Sequence, residues 1–333
     1  MSEPPVNAPG QLWGIVLARG ESEPPRPLLT GLSGEDLPRQ LASSQSGRSL
    51  VRQTLDRVRM AIPPTRTVLV TLRKHHGQLE KELGGAPIRR VLVQPEHKGS
   101  AAEIILPCHW IHWTDPDAFV AVFPSDHVVE DEQAFMENVT DMFEVAREHP
   151  DWIILAGATP TEPEPDYSWL EPGEVVAGGP RGSPISRVRR FWEKPSTVAA
   201  RACLDKGWLW NTLVIVAKVS VMLELSSRFL GRLHERLALL HPFKDTELES
   251  WALQQAYALS PKMSFSRSVL ELCPPNLMVS RLASVMGSDR GTAEGVVRAL
   301  NKAALPPRSD GATDPGLPEG TPARQEDSDE RAS

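Results

Sequence analysis

Ala118-Phe119-Val120-Ala121-Val122-Phe123 is an unbroken apolar run that passes directly into Pro124-Ser125-Asp126-His127. A short continuous run of this kind, bounded by turn residues, reads as a strand buried on both faces of a sheet. Its last residues matter most, because open α/β sheets bind ligands in the loops beyond the carboxyl ends of their strands. Asp126 is therefore either the cap of its own loop or the carboxylate of a binding site. Working outward, Leu12–Ala18, Thr67–Leu72 and the segments 91–93, 152–156, 188–192, 213–217 and 279–285 read as further strands.

Helical patterns fall between them. Ser49 precedes Leu50, Leu55, Val58 and Ile62 at helical spacing and is a suitable N-cap. Residues 100–113 read as a buried helix with a kink at Pro107, and helices are also expected over 132–149, 232–258 and 292–302. Strand–helix alternation of this kind predicts an α/β fold, a doubly wound, mostly parallel, Rossmann-like sheet. The Pro/Gly-rich stretch 159–184 reads as an insertion forming part of a lid. From 304 to 333 prolines, glycines and acids dominate without apolar period, which predicts a disordered tail. The domain is expected over 11–303, after a flexible N-terminus at 1–10.

The 333 residues carry a net charge of -7, with 40% hydrophobic and 24% charged residues. The acidic balance argues against a non-specific nucleic-acid binder. Cys108, Cys203 and Cys273 form no Cys-x-x-Cys pair, so neither a disulfide framework nor a zinc site is indicated, and core filling is expected. The N-terminus lacks the pattern of a signal peptide and no run is apolar enough to cross a bilayer, so a cytoplasmic protein without a membrane partner is expected. A homo-oligomer is compatible with all of this.

The remaining polar strings suggest phosphate and sugar chemistry. Glu193-Lys194 is hemmed in by Phe191, Trp192 and Pro195; it is either a solvated surface pair or a lysine for a phosphate beside a carboxylate for hydroxyls. Asn211 precedes an apolar run, so its amide needs partners, which a ligand hydroxyl can supply. Trp208 and Trp210 read as core. Asp289 follows Gly287-Ser288 after the last strand, placed as an N-cap or as a second acid. Hard cations commonly bridge one or two carboxylates to substrate phosphates, so Asp126 and Asp289 together suit magnesium.

Leu37-Pro38-Arg39-Gln40, Gln94-Pro95, Phe123-Pro124-Ser125-Asp126-His127, Phe191-Trp192-Glu193-Lys194-Pro195, Trp210-Asn211 and Ser288-Asp289 occur in this order. In that order they resemble the signature strings of the sugar-phosphate nucleotidyltransferases, and among them the short, single-domain bacterial mannose-1-phosphate guanylyltransferase type. The resemblance runs from about residue 12 to residue 300. It implies a sheet of the nucleotide-diphospho-sugar transferase type, with GTP and a sugar 1-phosphate as ligands and Mg2+ as cofactor. It implies Ala18, Gly20, Arg26, Arg39, Gln94 and Ser125 around the nucleotide. Tyr167, Glu193, Lys194 and Asn211 would hold the sugar phosphate, and Asp126 and Asp289 the metal. Asp126, Arg39 and Lys194 would carry the chemistry, giving GDP-mannose and pyrophosphate.

The chain also departs from that family. Where the family has a glycine-rich phosphate loop, this sequence reads Ala18-Arg19-Gly20-Glu21-Ser22-Glu23-Pro24-Pro25. A phosphate cradle uses glycines so that backbone N–H groups approach the anion. Only Gly20 remains, and Pro24 stands where the family has the arginine for pyrophosphate. The family's Tyr-Gly is Tyr167-Ser168 here. A degenerate, non-catalytic nucleotide-sugar-binding or regulatory protein is therefore the alternative, as is a nucleotidyltransferase for another sugar 1-phosphate. An NAD-dependent oxidoreductase fits the alternation but lacks a Gly-x-Gly-x-x-Gly turn.

Overall fold

The computed structural model describes residues 11–18, 39–41, 48–272 and 275–282. Within them a 9-stranded sheet comprises β1 (Leu12–Ala18), β2 (Thr67–Leu72), β3 (Arg90–Gln94), β4 (Phe119–Pro124), β5 (Ile153–Ala158), β6 (Trp169–Gly178), β7 (Pro184–Trp192), β8 (Leu209–Lys218) and β9 (Leu277–Leu282). Their order is β3-β2-β1-β4-β8-β5-β9-β7-β6. The main helices are α1 (Leu50–Val58), α2 (Arg73–Leu83), α3 (Gly99–His112), α4 (Glu132–Glu148), α5 (Thr197–Asp205), α6 (Val219–Phe229), α7 (Gly231–Ala238), α8 (Glu249–Ala258) and α9 (Phe265–Ser268). None of the described helices is long and apolar enough to cross a membrane.

Every residue of β1, β2, β4 and β5 is buried, as strands covered on both faces must be. Trp13, Ile15 and Leu17 of β1 face one core, with Ile104, Ile105 and Ile111 of α3 and Met222 of α6. Leu12, Val16 and Ala18 face the other, with Val51, Leu55 and Val58 of α1 and Phe135 and Met142 of α4. The result is a three-layer α/β/α arrangement. Ser49 caps α1 by accepting from the Arg52 N–H at 3.3 Å, and its own hydroxyl donates to Glu82 at 2.6 Å. Cys108 and Cys203 are buried, as are Trp208 and Trp210.

The sheet is mixed. β1, β2, β3 and β4 are parallel, and so are β5 and β9, whereas β8 runs against both β4 and β5, and β7 against both β6 and β9. The stretch 159–184, expected as an insertion forming part of a lid, joins the sheet in its second half, as β6 and the start of β7. Pro172 and Gly173 lie where the β6–β7 register shifts, and bulges are where such residues are tolerated inside a sheet. β6 also pairs with β8, so β8, β5, β9, β7 and β6 close into a ring. The far turn of the β6–β7 hairpin is tied down by Asp141 of α4, which is fully buried. Its carboxylate accepts from the Arg181 N–H at 3.1 Å and the Ser183 N–H at 3.4 Å, and pairs with the Arg181 guanidinium at 3.1 Å.

Candidate active site

The carboxyl edge of the sheet carries the polar groups in a row. On the nucleotide side β1 and β4 meet in parallel register, with Leu17 opposite Pro124. Ser125 continues that ladder: its N–H and its hydroxyl both donate to the Leu17 carbonyl, at 3.2 and 2.8 Å. Ser125 thus fixes the turn that presents Asp126, which is half-buried beside it. Ala18, the last residue of β1, is fully buried, and its carbonyl accepts from the amide of Gln40 at 3.5 Å. Gly20, Arg26, Asp289 and the side chain of Arg39 lie outside the described residues, as do Cys273, the helix expected at 292–302 and the tail from 304.

Gln94 ends β3 with its side chain 1% exposed and its Nε2 without a hydrogen-bond partner. Thr71, one residue before the end of the neighbouring β2, is buried with its hydroxyl likewise unpartnered. Buried polar atoms are nearly always paired in folded proteins. Thr71 and Gln94 stand at successive rungs and so project to opposite faces of the sheet, and the Gln94 amide, at the very end of its strand, is the orphan that a ligand can complete. Beyond Gln94 the chain is pinned. Gly99 adopts φ 82°, and a Cβ there would stand 2.1 Å from the Met263 carbonyl oxygen, so only glycine fits. Met263 also accepts from the Ala101 N–H at 3.1 Å, at the start of α3.

On the sugar side the sequence-predicted residues converge through one that was not predicted. Ser168 donates its hydroxyl to the Glu193 carboxylate, and its carbonyl accepts from the Asn211 N–H at 2.8 Å. Tyr167 stacks on Trp210 at 4.7 Å, so Trp210 is both core and platform. The Glu193 N–H donates to the Glu271 carboxylate at 3.1 Å. Lys194 follows in the left-handed region at φ 46° and is exposed, so Phe191, Trp192 and Pro195 do not enclose it and it stands on an open turn. Phe191 and Pro195 are buried on either side, while Trp192 is 36% exposed.

Asn211 sits at a bulge. The β5–β8 register shifts between Leu155 and Gly157, and Leu213 takes φ 58°. A left-handed leucine is strained, and such strain clusters at ligand sites. It is held by Asn211, whose Oδ1 accepts from the Leu213 N–H at 3.1 Å, and by Thr212, whose hydroxyl donates to the Ala156 carbonyl at 2.7 Å. The chain continues four residues past the last rung of β4 with β8, Val122–Ile215, through the end of β4 at Pro124 to reach Asp126; Asn211 lies four residues before Ile215. Antiparallel pairing therefore brings both side chains to the same edge.

Known proteins resemble this arrangement at two levels. The chain is 26% identical over 246 residues to the xanthan biosynthesis protein XanB of Xanthomonas campestris, covering 72% of this chain and 50% of that protein. It is 25% identical over 249 residues to the alginate biosynthesis protein AlgA of Pseudomonas aeruginosa, covering 74% and 48%. The chain thus spans about half the length of these relatives. Among solved structures, one described as mannose-1-phosphate geranyltransferase from Thermus thermophilus superposes with a TM-score of 0.69 at 28% identity, covering 82% of this chain and 74% of that one. A Helicobacter pylori structure described as mannose-6-phosphate isomerase shares the fold, with a TM-score of 0.61 at 18% identity and coverage of 82% and 97%. The nucleotidyl transferase family pattern matches residues 14–236. That match takes in most of the strands and the row of polar groups along their edge, and the chain belongs to the nucleotidyl transferase family.

Proposed function

We propose that the protein transfers a nucleotidyl group from a nucleoside triphosphate to a hexose 1-phosphate, with GTP and mannose 1-phosphate as its substrates. The observation that carries this reading is the shared edge: Asp126 at the end of β4 and the linked Asn211, Ser168 and Glu193 beside it. Relatives named for mannose-1-phosphate guanylyltransferase activity, such as that of Salmonella montevideo at 23% identity over 203 residues, support the choice of substrates.

The phosphate oxygen of the sugar attacks the α-phosphorus in line. A new P–O bond forms, the α–β bridging bond breaks, and its electron pair leaves with pyrophosphate; the products are GDP-mannose and pyrophosphate. The attacking phosphate is already ionised near neutral pH, so the chain need not supply a general base. Its task is alignment and charge neutralisation. Ser125 holds the turn that aims Asp126, Gln94 offers an unpaired polar atom to the nucleotide, and the Ser168-linked set orients the sugar.

A magnesium ion suits this donor set, because it takes one or two carboxylates and fills its remaining positions with water and phosphate oxygens. Asp126 would hold the ion together with Asp289, and among the described residues no group of three or more His, Cys, Asp or Glu side chains is arranged for a metal. Bound there, the ion would supply charge neutralisation at the phosphates.

The second reading, binding without turnover, rests on the sequence Ala18-Arg19-Gly20-Glu21-Ser22-Glu23-Pro24-Pro25 in place of a glycine-rich cradle. A pyrophosphate-release assay with magnesium, over a panel of nucleoside triphosphates and sugar 1-phosphates, tests both. Release with GTP and mannose 1-phosphate is expected. Nucleotide binding without release for any pair would favour the binding-only reading.

A further inference from the structure

Helix α8 presents apolar side chains to solvent as well as to the core. Ala252, Leu253, Ala256 and Tyr257 are buried, while Leu248, Trp251 and Leu259 are each more than half exposed. At 3.6 residues per turn, Leu248, Trp251, Gln255, Ala258 and Leu259 fall on one stripe, opposite the buried set. All five are exposed. Scattered exposed leucines need no explanation, whereas a contiguous apolar stripe marks an interaction surface.

The outer face of a surface helix ordinarily carries charges. Here no charged residue occurs from Ser250 to Pro261, in a chain with 24% charged residues. The helix is also firmly held. The Arg90 guanidinium, at the start of β3, pairs with Glu249 and, at 3.6 Å, with Asp245. Phe243 meets the Trp251 ring edge-on at 6.2 Å between centroids. The indole is thereby braced from the protein side, and tryptophan is among the residues that most often anchor interfaces.

Two features fit this stripe to a second copy of itself. In a two-fold dimer a patch faces its own copy, so like charges on it would repel, and this stripe has none. Its two ends instead carry opposite charges. Glu247 precedes the helix and Lys262 follows it, both exposed and neither in an ion pair among the described residues.

We propose that α8 is the interface of a homodimer, in which the α8 helices of two copies pack antiparallel. A two-fold axis between Gln254 and Gln255 sets Glu247 opposite the partner's Lys262 and Trp251 opposite the partner's Ala258. A large side chain thus meets a small one on each side of the axis, and the central glutamine amides offer donors and acceptors to one another. Parallel pairing would put Glu247 beside Glu247 and Lys262 beside Lys262, so the charges select the antiparallel arrangement.

Sedimentation equilibrium of the full chain, at concentrations up to about 100 μM to cover a small interface, tests it. The parent should reach twice the 36.7 kDa of the chain. Trp251→Ser should be monomeric throughout while keeping a cooperative urea melt, and Ala258→Glu, on the opposing side of the contact, should dissociate in the same way. Val198→Ser, an exposed apolar residue of α5, should dimerise as the parent does. Glu247→Lys and Lys262→Glu should each weaken the dimer about tenfold, and the two together should restore it. A parent that is monomeric over the whole range overturns the proposal, as does a dimer indifferent to both Trp251→Ser and Ala258→Glu. A dimer that these two dissociate, but that the paired charge exchange does not restore, overturns the antiparallel register.

Discussion

The Ser168 hydroxyl donates to the Glu193 carboxylate, while the Ser168 carbonyl accepts from the Asn211 backbone at 2.8 Å. One residue at the entry to β6 thereby couples the end of β7 to the start of β8. A serine that looks in sequence like an obstruction between Tyr167 and Trp169 is in the fold the link that orients the acid.

Removing that link should therefore affect the sugar substrate selectively. Ser168→Ala is expected to raise the KM for sugar 1-phosphate about tenfold, the scale of one charge-assisted hydrogen bond, with the KM for nucleotide unchanged. Ser168→Thr, which keeps the hydroxyl, should restore most of it. Equal changes in both KM values, or a parent-like KM for the sugar, would show that Ser168 does not orient Glu193 for binding.

Asp126→Asn should reduce pyrophosphate release roughly a hundredfold or more, because an amide neutralises neither metal nor phosphate charge. The turn is held by Ser125 on Leu17 rather than by Asp126, so the melting temperature should stay within about a degree or two. Full release by a folded variant would remove Asp126 from the site.

Gln94 gives a test in which stability and binding move in opposite directions. Its Nε2 is buried and unpaired, so Gln94→Met relieves an unsatisfied donor and should leave stability unchanged or raise it by up to about 1 kcal/mol. Nucleotide binding should weaken in the same variant. Urea melts and GTP titration read the two effects; a loss of stability above about 2 kcal/mol would mark the amide as structural.

Acid should loosen the seam between α3 and α7. His109 is 3% exposed, and its ring lies 4.8 Å from that of His234. His109 Nε2, His112 Nδ1 and His234 Nδ1 are buried without partners, and Trp113 stacks on His241 at the rim. Burial, then His234 and His112, push the His109 pKa down to about 3, and burial also lowers that of His234. Arg232, Glu235 and Arg236 are the other charged groups on α7, and Glu235 opposes the shift at His234 only in part. Both folded pKa values lie below the unfolded value near 6.5, so the stability from holding these rings neutral is complete above about pH 6.5 and is lost as pH falls. His109 alone should account for roughly 2 kcal/mol between pH 7 and pH 5. His109→Leu should flatten that part of the stability profile in urea melts; an unchanged slope would exclude the seam as the acid-sensitive element.

Local apolar patterning made much of the architecture readable. The runs at 12–18, 67–72 and 118–123 are too apolar to lie anywhere but between two layers, and they became β1, β2 and β4 within a residue of the expected bounds. Asp126 and Glu193 were readable for the same reason, a polar residue that follows an apolar run at a strand edge, and Asn211 as an amide that enters one; Gln94 came from the family resemblance. β6 was not readable, because Pro172 and Gly173 carry turn signals that a bulged strand overrides only when β7 and β8 are there to pair with it. Short helices such as α2 and α5 escaped because few of their residues are buried, only Leu79 and Leu83 in one and Ala200 and Cys203 in the other.

By itself the sequence determined the alternation of buried strands and amphipathic helices, the acids and amides at the strand ends, and the departure from a glycine-rich loop at 18–25. Those properties reside in single residues and their near neighbours, where hydrophobic period and turn chemistry act. Only the tertiary structure decided that β8 enters the middle of the sheet antiparallel, that β6 returns to pair with it, and that Asn211, Gly157 and Arg281 fall on one rung. Register between distant strands is set by the packing of both faces at once, and no local pattern encodes which residues it will bring side by side.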